Sequence, residues 1–296
     1  MSFASFARQY LKDKKDELKP ATYRNKEYCI NAHLMPYFGL KKMCDIKPSD
    51  LLEWQRVMRE KGLKESSLRY VQIQLKVIFV HAETIYGLSD NPCRRIKNMG
   101  SSSSGSLSFW THEQFRQFIT EVPSGSRDHV IFMLLFYSGM RIGELLALTG
   151  EDVDMDENAI SVSKTYHRID KKDYITTPKT VNSKRTVCMP ERVMKELEKY
   201  IGSLGKKYRS RQRIFSVTSK TIRNAFIKYT EAAGLPHIRI HDLRHSHASY
   251  LINLGVKPMV IKERLGHGNI QVTLNVYGHL YPNEQKKAVD LMELIE

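Results

Sequence analysis

A stretch rich in glycine and serine interrupts the sequence and constrains its fold more than any other feature. Residues 98–108 read NMGSSSSGSLS, with almost no side chain that could join a hydrophobic core, so we expect a flexible linker. The 296 residues also exceed the usual size of one compact core, and ~150 residues per domain suggests two domains. We therefore predict domains at 1–97 and 109–296, joined by the linker 98–108.

The first of these domains has the pattern of a small helical bundle. Ser49 and Ser66 are the expected N-caps of two helices, and glycines follow the expected helix ends. In the last helix, apolar residues recur at the i, i+3, i+4 spacing of a buried stripe. The predicted helices span Ser2 to Leu18, Ala21 to Tyr37, Ser49 to Lys61 and Ser66 to Tyr86.

The second domain mixes helices with a short β-rich segment. Residues 159–189 alternate apolar and polar side chains between charged turns, which predicts a small antiparallel sheet. The predicted helices lie at 111–120, 127–137, 142–148, 191–200, 220–233, 242–254, 258–265, 270–277 and 283–295. The predicted fold is therefore mainly α with a small antiparallel β-sheet (α+β), an N-terminal helical bundle followed by a mixed domain.

Charge gives the strongest indication of a partner. The formal net charge is +15 and the pI is near 9.5, and a polyanion gains affinity from each phosphate that such a protein neutralises. We therefore expect nucleic acid as the partner.

No apolar run approaches the ~20 residues that span a bilayer, and the N-terminus resembles neither a secretion signal nor a transit peptide, so we expect no membrane and a cytoplasmic location. The four cysteines are far apart and form no CxxC pair, which suggests neither a disulfide framework nor a thiolate metal site.

The segment IHDLRHSHASYL, Ile240 to Leu251, concentrates cationic and titratable side chains at a helix start. If the helix begins near His241, then His241, Arg244 and His245 share one face, and Asp242 favours the helix dipole. Histidines at i and i+4 also occur on zinc-protease helices. An arginine on the same face, the missing third acidic ligand and the surplus positive charge argue against zinc, so we predict no metal. A phosphate is the third candidate ligand, because the guanidinium fork suits it.

Two more segments could contribute cations. In YSGMRIGELLAL, Arg141 follows a turn at a helix start, where Glu144 can hold the guanidinium or cap the helix. In TTPKTVNSKRTVCMP, Lys179 and Lys184 flank the turn of a hairpin. Each pattern alone is more often an ordinary charged surface.

The segment LGHGNIQVTLNVYGHLYP supplies two more candidate side chains. His267 lies between two glycines, in a turn that allows a partner to approach the backbone, and Tyr277 follows ten residues later at a helix end. Asn275 and Gly278 suggest that this tyrosine ring lies near a surface.

Read in order, SGMRIGELLAL, PKT…SKRTV, HDLRHSHAS and LGHGNIQVTLNVY resemble the tyrosine recombinase family, also called phage integrases. The resemblance covers nearly the whole chain and is greatest to integrases of phages, genomic islands and conjugative transposons. It implies a DNA core-binding domain at 1–97 and a catalytic domain at 109–296 with a C-terminal exchange helix at 283–296. It also implies six catalytic residues, which are Arg141, Lys179, His241, Arg244, His267 and Tyr277, with Glu144 and Asp242 in support.

The resemblance implies a site-specific recombinase that integrates or excises a mobile element in a bacterial or phage-infected cell, at the nucleoid. Tyr277 would form a 3′-phosphotyrosyl link, His241 would take its proton, and Lys179 would protonate the 5′-oxygen. Tyr281 and Lys184 remain competing candidates. The implied partners are double-stranded DNA, further copies of the chain in a tetramer, and accessory DNA-bending or directionality factors. No cofactor is expected, so activity should persist in EDTA.

Two other functions stay open at this point. A type IB topoisomerase uses the same cleavage chemistry but relaxes supercoils without sequence exchange. A catalytically silent DNA-binding regulator would use the same cations only to bind phosphates. Many such integrases also carry an arm-binding domain before the core-binding domain. This chain begins near the core-binding domain, so it is either a simpler member or truncated.

Overall fold

The computed structural model describes residues 1–101, 108–177, 184–205, 207–278 and 292. The chain divides into two compact units, Met1–Ser106 and Leu107–Glu296. Within the described ranges, no helix is both long enough and apolar enough to cross a membrane.

The first unit is a bundle of helices. Its α-helices are α1 Phe3–Asp13, α2 Pro20–Cys29, α3 Met35–Phe38, α4 Pro48–Glu60 and α5 Glu65–Tyr86. A π-helical turn, Ile30–Leu34, joins α2 to α3, and 3₁₀ turns lie at Met43–Asp45 and Pro92–Arg94. The single helix predicted from Ala21 to Tyr37 is therefore interrupted. Pro36 supplies a physical reason, because it has no N–H to continue the α-helical hydrogen bonds.

The predicted N-caps Ser49 and Ser66 are wrong. Helix α4 begins at Pro48, whose fixed φ suits the first helical position, and Asp50 accepts a hydrogen bond from the backbone N–H of Lys47 (2.8 Å). Helix α5 likewise begins at Glu65, a favourable charge for a first turn.

The core of the first unit is aromatic and extends into the predicted linker. Phe3, Trp54 and Phe79 are almost fully buried in it. Met99 is also fully buried there, and a Cβ on Gly100 would lie 2.1 Å from the carbonyl oxygen of Glu65. Residues 98–108 were expected to hold almost no side chain that could join a core, and Met99 is one that does.

In its described residues, the second unit packs eight α-helices and five strands, and in α7 ten of twelve residues are buried. The helices are α6 His112–Thr120, α7 Arg127–Ser138, α8 Ile142–Leu145, α9 Glu191–Ser203, α10 Ser219–Ala232, α11 Asp242–Asn253, α12 Pro258–Leu265 and α13 Ile270–Tyr277. The strands are β1 Val153–Asp154, β2 Ala159–Val162, β3 Thr165–Ile169, β4 Lys172–Thr176 and β5 Arg185–Cys188.

The strands form two antiparallel sheets in the described part of the chain, where we predicted one. One sheet has the order β1-β2-β5, and the other is the hairpin β3-β4. Strand β5 returns to pair with β2, so that buried Ile160 and Val187 face each other in register. The overall prediction of a mainly helical α+β fold is confirmed. The helix predicted at 283–295 lies outside the described residues, apart from Met292.

Two tight turns bring the ends of α7 and α12 together. Gly139 and Gly266 end these helices with φ of +65° and +68°. A Cβ on Gly139 would lie 2.6 Å from the ring of His247 in α11 and 2.8 Å from Leu265 in α12. Only glycine therefore allows α7, α11 and α12 to approach this closely.

Candidate active site

Arg244 forms the centre of the site. It lies in the first turn of α11 and is 3% exposed, and its guanidinium donates to the carbonyl oxygens of Gly139 (2.8 Å) and Leu265 (2.5 Å). These acceptors end α7 and α12, so both helix ends fix its orientation. Burial, with the charges of Arg141 and Arg185, lowers the pKa of Arg244 to about 9, and the group stays protonated at neutral pH.

Arg141 is held by a buried carboxylate at the start of α8. Glu144 accepts from Nη1 of Arg141 (2.8 Å) and from its backbone N–H (3.0 Å), and also from Nη2 of Arg185 on β5 (2.9 Å). Burial opposes ionisation of Glu144 most strongly, but Arg185 and then Arg141 outweigh it, so its pKa lies below the ordinary value. The Arg141 side chain is 40% exposed, which leaves it able to meet a ligand.

Two histidines lie close to these cations. His241 immediately precedes α11, and His267 follows Gly266 with its Nδ1 atom 2.8 Å from the hydroxyl of buried Thr273. Desolvation, followed by the charge of Arg244, lowers the pKa of each histidine to about 4, and Arg141 contributes to both shifts. Both imidazoles are therefore neutral at pH 7 and can donate or accept hydrogen bonds.

Tyr277 ends α13 with its side chain turned inward. It is 1% exposed, and its hydroxyl lies 2.6 Å from Nδ1 of His245 on α11. Burial raises the pKa of Tyr277 to about 12, although the charge of Arg244 acts in the opposite direction. The sequence suggested a ring near the surface, which is wrong for this state, because Ala248, Ile261 and neighbouring apolar side chains enclose it.

Asp242 is held at the start of α11 by Arg239. Its carboxylate is 3% exposed and accepts from Nη2 of Arg239 (2.8 Å) and from the Arg239 backbone N–H (2.8 Å). The Asp242 charge also raises the pKa of His245, against a larger effect of burial. Asp242 thus acts on the site through the helix start and through His245.

Comparison with known proteins identifies the family. A family model described as Phage integrase family matches residues 108–284, and one described as Phage integrase, N-terminal SAM-like domain, matches residues 2–58. The chain belongs to the phage integrase family. The predicted recognition is confirmed, and so is the predicted enzyme class, a site-specific tyrosine recombinase that transfers DNA strands.

Individual relatives agree with this assignment of the recombinase. The ICEBs1 integrase of Bacillus subtilis is 34% identical over 312 residues, covering 99% of this chain and 83% of that protein. The transposase from transposon Tn916 of Enterococcus faecalis is 25% identical, covering 89% of this chain and 70% of that protein.

Solved structures share the fold of the recombinase. The Tn1549 transposon integrase in complex with transposon right end DNA has a TM-score of 0.79 at 23% identity, covering 94% of this chain and 95% of that one. A lambda integrase dimer bound to a core site has a TM-score of 0.70 at 15% identity, covering 96% and 78%.

Four of the six predicted catalytic residues are linked by charge, since Arg141 and Arg244 both lower the pKa of two histidines. Those four are Arg141, His241, Arg244 and His267. The charge of Arg244 also acts on Tyr277. The sixth, Lys179, and the competing nucleophile Tyr281 lie outside the described residues. Lys184 is exposed at the start of β5.

Sequence reasoning missed a second layer of buried groups in the recombinase. Arg185, besides its bond to Glu144, donates from Nε to the carbonyl oxygen of Arg264 (2.8 Å). Arg264 in turn donates to the ring of buried His247 (3.0 Å) and to the carbonyl oxygen of Tyr137 (2.8 Å). The only signal in the sequence was an arginine on the inward-facing alternation of a strand, which is unusual for a charged side chain.

Proposed function

We propose that this recombinase integrates and excises a mobile element by cutting and rejoining DNA through a 3′-phosphotyrosyl intermediate on Tyr277. The observation that carries the proposal is the position of the Tyr277 hydroxyl, which contacts the same turn of α11 that holds Arg244. The Bacillus subtilis and Enterococcus faecalis relatives, named as an integrase and a transposon transposase, support a mobile element.

Arg141 and Arg244 are the proposed phosphate ligands. A phosphodiester attacked by an oxygen nucleophile gathers charge on its nonbridging oxygens, and fixed cations there lower the barrier. The contacts of Arg244 with two helix ends prepare its orientation before DNA arrives. Losing one such donor typically costs about 10²- to 10³-fold in rate, which is our expectation for Arg244→Ala. His267, with Nδ1 occupied by Thr273, would donate from Nε2 to a phosphate oxygen.

Acid–base roles complete the reaction. The phenol of Tyr277 must lose a proton to attack, and His241 is the proposed acid–base group beside the phosphate. The departing 5′-oxygen must gain a proton, which we assign to Lys179 with Lys184 as the competing candidate. A 5′-thio leaving group needs no acid, so it should restore cleavage to a variant of the true acid and not to a variant of the other lysine.

Assembly on DNA is the second part of the proposal. The net charge of +15 supports DNA binding, and we propose that residues 1–97 form the core-binding domain and 109–296 the catalytic domain. We propose a tetramer on nucleoid DNA, which a lambda integrase tetramer bound to a Holliday junction illustrates for that protein. The exchange helix at 283–296 would link the copies, and accessory DNA-bending or directionality factors could select the direction.

Trapping of a covalent intermediate tests the proposed nucleophile. A nicked suicide duplex releases a short strand after cleavage, so the protein stays attached to DNA and migrates as an adduct. Wild type and Tyr281→Phe should form the adduct, and Tyr277→Phe should not. An adduct that survives in Tyr277→Phe and vanishes in Tyr281→Phe would reverse the assignment, and no adduct in wild type would favour a DNA-binding regulator.

A synapsis assay separates recombination from topoisomerase activity. Two target sites on one plasmid should yield exchanged products in the presence of the wild-type protein. Relaxation of supercoils without exchanged products would favour a type IB topoisomerase instead.

A further inference from the structure

His245 is the side chain that touches the nucleophile. Its Nδ1 atom lies 2.6 Å from the Tyr277 hydroxyl, with ring centroids 5.6 Å apart. The ring of His241, four residues earlier on the same helix face, has its centroid 5.8 Å from that of His245. His245 therefore contacts the phenol and also lies next to the ring of His241.

The protonation state of His245 suits proton acceptance. Burial lowers its pKa, so the ring is neutral at pH 7, and one ring nitrogen then has a free lone pair. A neutral ring that carries its proton on Nε2 presents Nδ1 as an acceptor to the Tyr277 hydroxyl. With a pKa of about 12, only about 10⁻⁵ of the phenol would ionise unaided at pH 7, so attack requires a base.

The surroundings of His245 can also stabilise the charged product of that transfer. On its own helix face the Asp242 carboxylate favours the imidazolium, while Arg244 opposes it, as does Arg239 from the loop before α11. His267, from the turn after α12, is neutral at pH 7. An incoming phosphodiester would add one negative charge beside Arg244, which favours a protonated histidine further.

We propose that His245, and not His241, is the direct acceptor of the Tyr277 proton during DNA cleavage, which makes His245 a further catalytic residue. The Tyr277 oxygen forms a bond to phosphorus as its proton moves to Nδ1 of His245. The bond from phosphorus to the 5′-oxygen breaks, and the proposed lysine acid protonates that oxygen. In the rejoining step the 5′-hydroxyl attacks phosphorus and gives its proton to the same lysine. The bond from phosphorus to the Tyr277 oxygen breaks, and the imidazolium returns its proton to that oxygen. The inference rests on the proposed function, in that Tyr277 is taken as the nucleophile.

The pH dependence of cleavage tests the role. His245→Asn keeps a hydrogen-bonding atom near the position of Nδ1 but cannot accept a proton. In single turnover on the nicked suicide duplex, it should form adduct about 10²-fold more slowly at pH 7, within the usual range for a lost general base. The defect should shrink as pH rises and hydroxide ionises the phenol, because the variant rate should keep increasing with pH after the wild-type rate has levelled off.

A matched control exists in the same domain. His112 also contacts a tyrosine hydroxyl, that of Tyr137 at 3.1 Å, but outside the proposed site. His112→Asn should cleave at the wild-type rate with the wild-type pH profile. A His245→Asn rate equal to wild type would overturn the inference, and so would a defect of the same size at every pH, which would indicate a structural role.

A measurement on wild type covers the case in which His245→Asn does not fold. ¹⁵N NMR of histidine-labelled protein should show the proton of His245 on Nε2, with Nδ1 unprotonated. A proton on Nδ1 would make His245 a donor to Tyr277 and refute proton acceptance. Failure of the proposed function looks different, because Tyr277→Phe would then still form adduct.

Discussion

Replacing Arg185 with methionine should show how much the buried ion pair between Arg185 and Glu144 contributes to the free energy of unfolding. The Arg185 side chain is 6% exposed and its partner Glu144 is 2% exposed, at 2.9 Å. Methionine matches the length and apolar stem of arginine, but it leaves a buried carboxylate with one fewer cation. Breaking a buried pair from one side costs about 3–5 kcal/mol, and we expect the lower end because Arg141 still contacts Glu144.

The loss should depend on pH in a defined direction. The Glu144 pKa lies below its ordinary value, so its ionisation stabilises the folded state above that ordinary value, and this stabilisation disappears as pH falls through the folded pKa. Arg185 is the main cause of the lowering. The difference in unfolding free energy between wild type and Arg185→Met should therefore be greatest near pH 7 and shrink below about pH 4.

Urea unfolding at pH 7 and at several pH values below 4 measures both effects. Arg185→Lys keeps the charge but not the arginine fork, and should lie between wild type and Arg185→Met. The control is Arg211→Met, which removes an exposed ion pair with Glu151 and should leave the unfolding free energy close to wild type. An Arg185→Met protein as stable as Arg211→Met at pH 7 would refute the reasoning.

Three further predictions concern backbone, pH and metal. Gly139→Ala should destabilise the fold by more than Gly125→Ala in thermal unfolding, because both have positive φ but only Gly139 has a neighbour within 4 Å, a histidine carbon at 2.6 Å. Stability should fall between about pH 6.5 and pH 4, since burial depresses the pKa of His267 to about 4, and His267→Gln should flatten this fall in pH-dependent urea unfolding. Adduct formation should be unchanged in EDTA, because cationic side chains are assigned the role of a metal, and a requirement for added Mg²⁺ would contradict that assignment.

The sequence predicted helix bounds correctly in one segment of the second unit, where a proline begins a helix and a glycine ends it. Helices α12 and α13 have the predicted bounds, since Pro258 begins one and Gly266 separates them. The predicted N-caps Ser49 and Ser66 are wrong because each helix begins one residue earlier, at Pro48 and at Glu65. The burial of Met99 was missed for another reason. It depends on packing within the first unit, which a run of glycines and serines does not reveal.

The candidate site shows the same division between local and tertiary information. Arg141, Arg244 and Tyr277 could be named because each lies in a recognisable segment. The contact of Arg185 with Glu144 joins residues 41 apart, and that of His245 with Tyr277 joins residues 32 apart. Such contacts depend on how strands and helices pack, so no spacing rule predicts them.

The arginines of the site together lower the pKa values of its histidines. Arg141, Arg185 and Arg244 surround one buried carboxylate, so the DNA-free site carries excess positive charge, and its histidines are neutral partly for that reason. A phosphodiester brings the missing negative charge, and the pKa of each nearby histidine must rise when it binds. Bound DNA should therefore help to stabilise the imidazolium that the proposed proton transfer from Tyr277 to His245 forms. The proposed nucleophile Tyr277 is buried and its pKa is raised, so we expect it to attack only where a base accepts its proton.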